Sequence, residues 1–134
     1  MRKVLVLGLA VLAVGLIAVG QASLLAGGGR PSLSMTAVPM IGVAPVKMIF
    51  RVTLKGGADD DPEFYCAAVE WDWDDGSISE SKRDCDPYEK GKSLIQRHFT
   101  AEHEYKESSM YRVTFRLKQR NKTVASTSLQ ITVS

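Results

Sequence analysis

The stretch Trp71-Asp72-Trp73-Asp74-Asp75-Gly76 decides how this chain folds. Two tryptophans on alternate positions suit one buried face of a β-strand, because successive strand side chains point to opposite sides. The acidic residues and Gly76 then supply turn chemistry. Aspartate bonds its own backbone two residues on, and glycine accepts backbone angles that other residues resist. A strand ending in a sharp turn is therefore expected here. Two later segments extend the pattern, His103-Glu104-Tyr105 and Tyr111-Arg112-Val113-Thr114-Phe115. Around the second, Tyr111, Val113, Phe115 and Leu117 alternate strictly with Arg112, Thr114, Arg116 and Lys118. That predicts a strand packed on one face and wet on the other.

The same period of two recurs on both sides. Leu33, Met35 and Ala37 alternate with Ser34, Thr36 and Val38 until Pro39, as in a short edge strand. Val46, Met48, Phe50, Val52 and Leu54 oppose Lys47, Arg51, Thr53 and Lys55. Two glycines, three aspartates and a proline between residues 56 and 62 read as a surface loop. The next strand is expected to start near Phe64, with Tyr65, Ala67, Val69, Trp71 and Trp73 inward and Cys66, Ala68, Glu70 and Asp72 outward. Residues 77–93 are polar and irregular, with room for one short strand. Residues 94–100 predict an edge strand leading to His103-Glu104-Tyr105, with a corner there. Gln119 to Lys122 reads as a hairpin turn, after which Ala125, Thr127, Leu129, Ile131 and Val133 resume the alternation. No helical period follows the N-terminal segment. About seven strands in ~100 residues describe an all-β, immunoglobulin-like sandwich of two antiparallel sheets.

The N-terminus is of a different kind. Met1-Arg2-Lys3 is positive, and Val4 to Val19 carries no charge and no hydrogen-bonding side chain, so this hydrophobic helix partitions into a bilayer. It resembles a secretory leader, with small residues at Gly20 and Ala22 suiting cleavage after Ala22. Residues 1–22 would then be a signal peptide. The alternative is an uncleaved membrane anchor, since Leu24, Leu25 and Ala26 extend the run to the ~20 residues a span requires. Three consecutive glycines, Arg30 and Pro31 make residues 23–34 a flexible tether, leaving 35–134 as one folded domain.

Without Arg2 and Lys3, the 17 basic residues fall to 15, against 15 acidic residues that all lie between Asp59 and Glu107. A near-neutral chain with dispersed cations lacks the positive field that nucleic acid needs, so that class of partner is excluded. Cys66 and Cys85 are the two cysteines, and in an exported chain they favour a disulfide over free buried thiols. On the parity above, Cys66 faces outward, so the bridge would clip the following excursion onto the outer face instead of joining the sheets. Two cysteines and two distant histidines lack zinc-ligand spacing.

From about Asp59 onward these motifs resemble a PKD domain, whose pattern runs W-D-F-G-D-G, H-x-Y and G-x-Y-x-V-x-L, and the likeness extends over roughly Met35 to Val133. The resemblance implies that Trp71, Asp72, Trp73, Asp75, Gly76, His103, Tyr105 and Tyr111 are structural, with the H-x-Y ring and hydroxyl tying a loop to neighbouring backbone. Asp74 and Ser109 stand where the family has glycine, so both turns are expected to differ somewhat. Some PKD domains bind calcium, which makes Asp72, Asp74 and Asp75 candidate ligands, together with Asp59, Asp60 and Asp61. Against this, Asp72 and Asp75 suit hydrogen bonds to turn amides, and the spacing completes no calcium loop. The expectation is accordingly no metal and no cofactor.

Neither His103 nor the isolated His98 accompanies a nucleophile motif, so an enzyme is not expected. Arg112, Arg116, Lys118, Arg120 and Lys122 form a basic stripe that either attracts an acidic partner or pairs with glutamates across strands. Asn121-Lys122-Thr123 matches a glycosylation sequon on a turn. These readings predict a non-catalytic binding or spacer module, secreted, periplasmic or on a cell surface, and the resemblance to PKD domains implies contact with protein or carbohydrate. The alternatives are an anchored stalk component, touching the membrane through its N-terminal segment, and a calcium-stiffened module.

Overall fold

The computed structural model describes residues 29–134. The expected signal peptide or hydrophobic helix, and the first part of the expected tether, lie outside the described residues. Eight strands are present among the described residues: β1 (Ser32–Val38), β2 (Ile41–Gly42), β3 (Val46–Lys55), β4 (Ala68–Asp72), β5 (Ile78–Ser81), β6 (His98–Tyr105), β7 (Ser109–Gln119) and β8 (Lys122–Val133). They form two sheets, one ordered β1-β3-β6 and the other β2-β8-β7-β4-β5. All neighbours are antiparallel except the short parallel pair β2–β8.

Alternating apolar residues bury one face of each principal strand, and the two faces meet as a core. Met48, Phe50, Val52 and Leu54 come from β3 and Val113, Phe115 and Leu117 from β7, all nearly inaccessible to solvent. Trp71, Trp73, Phe99, Tyr105 and Ile131 complete the layer. The registers give the sandwich two distinct ends. One carries the crossover from β1 to β3, the turn at 73–77 and the connection from β6 to β7. The other carries the 56–67 loop, the 82–97 excursion and the hairpin tip at Arg120 and Asn121.

Five elements differ from expectation. Strand pairing starts at Ser32, inside the expected tether, because Pro31 is buried against Gly57 and Arg30 donates to the Val124 carbonyl at 2.8 Å. After β1 the chain crosses to the other sheet, where β2 joins β8; two residues with no period of their own leave no sequence signal. Residues 62–66 form a turn, not the start of a strand, so β4 begins at Ala68. Likewise β6 begins only at His98, since Arg97 turns back to donate to the carbonyls of Leu54 and Gly56, and it continues straight through the expected corner at His103. Lastly, a bulge opposite Leu117 and Lys118 leaves Val124 as an extra, buried residue ahead of Ala125. The hairpin tip itself has Arg120 (φ 49°) and Asn121 (φ 64°) both left-handed, the backbone of a two-residue type I′ turn.

Candidate functional site

The motif residues converge at the end of the sandwich that carries the 73–77 turn. The rings of Trp71 and Trp73 stack with centroids 5.1 Å apart, and His103 from the opposite sheet continues the stack 4.3 Å from Trp73. Tyr105 sits edge-on to His103 at 4.8 Å and packs on Tyr111 at 4.3 Å. The alternation of β6 explains the pairing, because His103 and Tyr105 share the parity that faces inward. The Tyr105 hydroxyl donates to the Trp73 carbonyl at 2.9 Å, and the Trp73 indole N–H donates to Ser79 Oγ at 2.9 Å. The Tyr111 hydroxyl donates to the Glu107 carbonyl at 2.7 Å, closing the β6–β7 connection. Burial pushes the Tyr105 and Tyr111 phenols up, so both remain neutral donors.

Each aspartate of the motif has a partner within the protein. Asp72 Oδ1 accepts the Asp74 amide at 3.1 Å. Asp75 Oδ1 accepts the Ser77 amide at 3.0 Å and the Ser77 hydroxyl, while its Oδ2 lies 2.7 Å from His103 Nε2. Partial burial pushes the Asp75 carboxyl up, but the bonds from Ser77 and His103 outweigh it and hold the group below its ordinary 3.8. Asp74 itself takes a left-handed backbone (φ 62°), which an aspartate tolerates and which accounts for the glycine of the related pattern. Its Oδ2 accepts the Arg112 amide at 2.9 Å, an attachment to β7 that a glycine would not make. Gly76 (φ 86°) occupies the other left-handed position of the turn.

Chemically, the cluster joins sheets. His103 faces Asp75, and Ser77 bonds that carboxylate and not the imidazole. Among the described residues no group of three or more His, Cys, Asp or Glu side chains converges on a point where a metal would sit. The proposed joint calcium set is corrected by position, since Asp59, Asp60 and Asp61 lie at the opposite end. There Asp59 accepts from Arg97 at 2.7 Å, Asp60 from the Gly91 amide at 2.9 Å and Asp61 from the Glu63 amide at 2.9 Å. Of the added partners, Ser77 was signalled by the Asp75-Gly76-Ser77 spacing of an Asx-turn. Ser79 and the Arg112 amide had no such signal, because they meet the motif through sheet register, while Glu107 meets Tyr111 through the short β6–β7 connection.

Cys66 and Cys85 form a disulfide with Cα atoms 6.1 Å apart. Cys66 shares a cleft wall with Ala68, Glu70 and Lys118, so the bridge holds the excursion to the outer face of the five-stranded sheet. It does so from a left-handed turn residue (φ 53°) and not from a strand. The Tyr65 hydroxyl, donating to the Asp86 carbonyl at 2.7 Å, and the Tyr65–Tyr88 ring contact at 5.6 Å hold the same excursion. The basic stripe is divided. Arg116 and Lys118 bond Glu70 at 2.9 and 2.8 Å, so that Glu70 is only 8% exposed on the nominally wet face. The Lys118 ammonium, reinforced by Arg116 and opposed by burial, holds the Glu70 carboxyl below its ordinary range. Arg112, Arg120 and Lys122 are exposed, as is Asn121 of the sequon.

No family model matches the chain, and no curated protein matches it significantly. Solved structures do. The PKD domain of an M14-like peptidase from Thermoplasmatales archaeon SCGC AB-540-F20 aligns over 79% of this chain and 98% of its own, with TM-score 0.52 and 14% identity. A CARDB domain from Pyrococcus furiosus, crystallised in complex with di-metal ions, aligns over 78% and 88% with TM-score 0.49 and 9% identity. Together with the strand order, the first of these likenesses establishes the fold: the described domain is a PKD-like, immunoglobulin-type β-sandwich.

Proposed function

We propose that this chain is a non-catalytic module that works outside the cytoplasm, binding a protein or carbohydrate or spacing other parts of an assembly. The observation that carries the reading is the engagement of the motif cluster. Asp72, Asp74, Asp75, His103 and Tyr105 each bond another part of the same domain, so the acid–base groups of this cluster are tied into the architecture. The partly exposed Cys66–Cys85 bridge supports an oxidising compartment, as does the apolar N-terminal run. A fusion of the full chain to a reporter enzyme that folds only in oxidising compartments tests the location: activity is expected, and an inactive reporter overturns it. Chemical cross-linking in the native host, followed by identification of partners lost when the outer face is mutated, tests the binding role.

The uninterrupted apolar segment also favours a second reading, an anchored component that presents the sandwich on a short stalk. Mass spectrometry of the mature N-terminus separates the two, because a chain starting at Ser23 has no anchor.

A further inference from the structure

Beside the disulfide, on the outer face of the five-stranded sheet, lies a cleft of about 340 Å³ whose charged lining is Glu70, Glu80, Lys82, Arg83, Lys118 and Arg120. Four cations thus face two carboxylates. Glu70 is already bonded by Lys118 within the cleft and by Arg116 beside it, so its charge is more than matched. Glu80 stands opposite Glu70 in the β4–β5 register. Lys82 and Arg83, just beyond β5, and Arg120, at the hairpin tip, are exposed and form no ion pair among the described residues. Every acid of the chain lies between Asp59 and Glu107, so the remaining residues offer these cations no carboxylate either.

Two separate elements bring these charges to one concavity, and each is held in place. Arg83 lies two residues from the bridged Cys85. On the other wall, Gln119 Nε2 donates to the Tyr65 carbonyl at 2.6 Å and steadies the hairpin that carries Arg120. Cations on a convex surface are simply solvated, whereas those around a concave wall reinforce one another's field. We infer that the cleft binds an oxyanion, a sulfate or phosphate group carried by a polyanionic saccharide or similar polymer. Arg83 and Arg120 present forked N–H donors suited to tetrahedral oxyanions, and Lys82, like them without an ion pair among the described residues, adds a point charge. The inference rests on the binding reading above and gives it a ligand class. Its failure would leave contacts through other faces untouched, so the two fail separately.

The test titrates the full chain in detergent with heparin, as a sulfated polymer, and with inorganic phosphate, read by amide NMR shifts and calorimetry. Shifts are expected at residues 80–83 and 118–121, with heparin affinity falling at least about tenfold as salt rises from ~0.05 to ~0.2 M. Tighter binding of heparin than of phosphate identifies the polymer as the source; saturable binding of phosphate alone identifies a free ion. The pair Lys82→Gln and Arg83→Gln should weaken binding at least about tenfold, while Lys47→Gln and Arg51→Gln on the three-stranded sheet leave it unchanged. All four side chains are exposed, so neither variant endangers folding. Absence of saturable binding to both probes, shifts elsewhere on the surface, or equal losses in the two variants would overturn the inference.

Discussion

Replacing Asp75 by alanine probes the joint between the sheets. The substitution removes three bonds, those to the Ser77 amide, the Ser77 hydroxyl and His103 Nε2. The Ser77 groups are exposed and regain water, so their loss costs about 1 kcal/mol together. The His103 bond is different, since the two side chains retain only 19% and 25% of their accessible surface and the imidazole would be left half-buried without its anion. A bond to a charged group in such a setting contributes about 1.5–3 kcal/mol. The total of about 3 kcal/mol should lower the melting temperature of a domain this size by at least about 12 °C at pH 7. The pH dependence carries the sign. Because the folded Asp75 carboxyl titrates below 3.8, its contribution is complete above that value and disappears as pH falls through the lower, folded value. Differential scanning calorimetry of both proteins between about pH 7 and pH 2 should therefore show the gap closing in acid. A gap under about 2 °C at pH 7, or one that persists unchanged at pH 2, would refute the assignment of Asp75 as the charged tie.

The remaining expectations are separate from that tie. Cys66→Ser with Cys85→Ser opens a loop spanning a sequence separation of 19 and should cost about 3 kcal/mol in urea unfolding, with reductant destabilising the wild type alone. At the left-handed position 74, Asp74→Gly should be about 1 kcal/mol more stable than Asp74→Ala, since both lose the Arg112 bond but only alanine keeps the backbone strain; equal stabilities would contradict it. Calcium at millimolar concentration should leave the melting midpoint unmoved, because the motif carboxylates already have partners, and a clear rise would favour the ion-stiffened reading.

The alternation of β3 and β7 was legible residue by residue, because each strand has one face in the core and one in water, the condition under which a period of two appears. Trp71 and Trp73 announced their common face in the same way. What escaped depended on contacts distant in sequence. Nothing local shows that Cys66 adopts a positive φ, that Arg97 reaches back to Gly56, or that a bulge turns Val124 inward. Charge also misled, since Glu70 reads as solvent-facing but is enclosed by Arg116 and Lys118 from a neighbouring strand. At the candidate site the division is similar. The bonds of Asp72 and Asp75 to amides two residues on follow from local spacing, whereas Asp74 to Arg112 and Asp75 to His103 exist only once the sheets have formed.

The stacked indoles have an optical consequence. The chain holds two tryptophans, and both lie in one column capped by an imidazole from the opposing sheet. Nearly all long-wavelength emission therefore originates where the layers meet. Rings 5.1 Å apart and within 3° of parallel exchange excitation readily, so the pair behaves as a single chromophore. At constant pH, a change in its quantum yield signals separation of the sheets and is blind to events at the hairpin tip, which makes unlabelled protein its own reporter of interlayer opening.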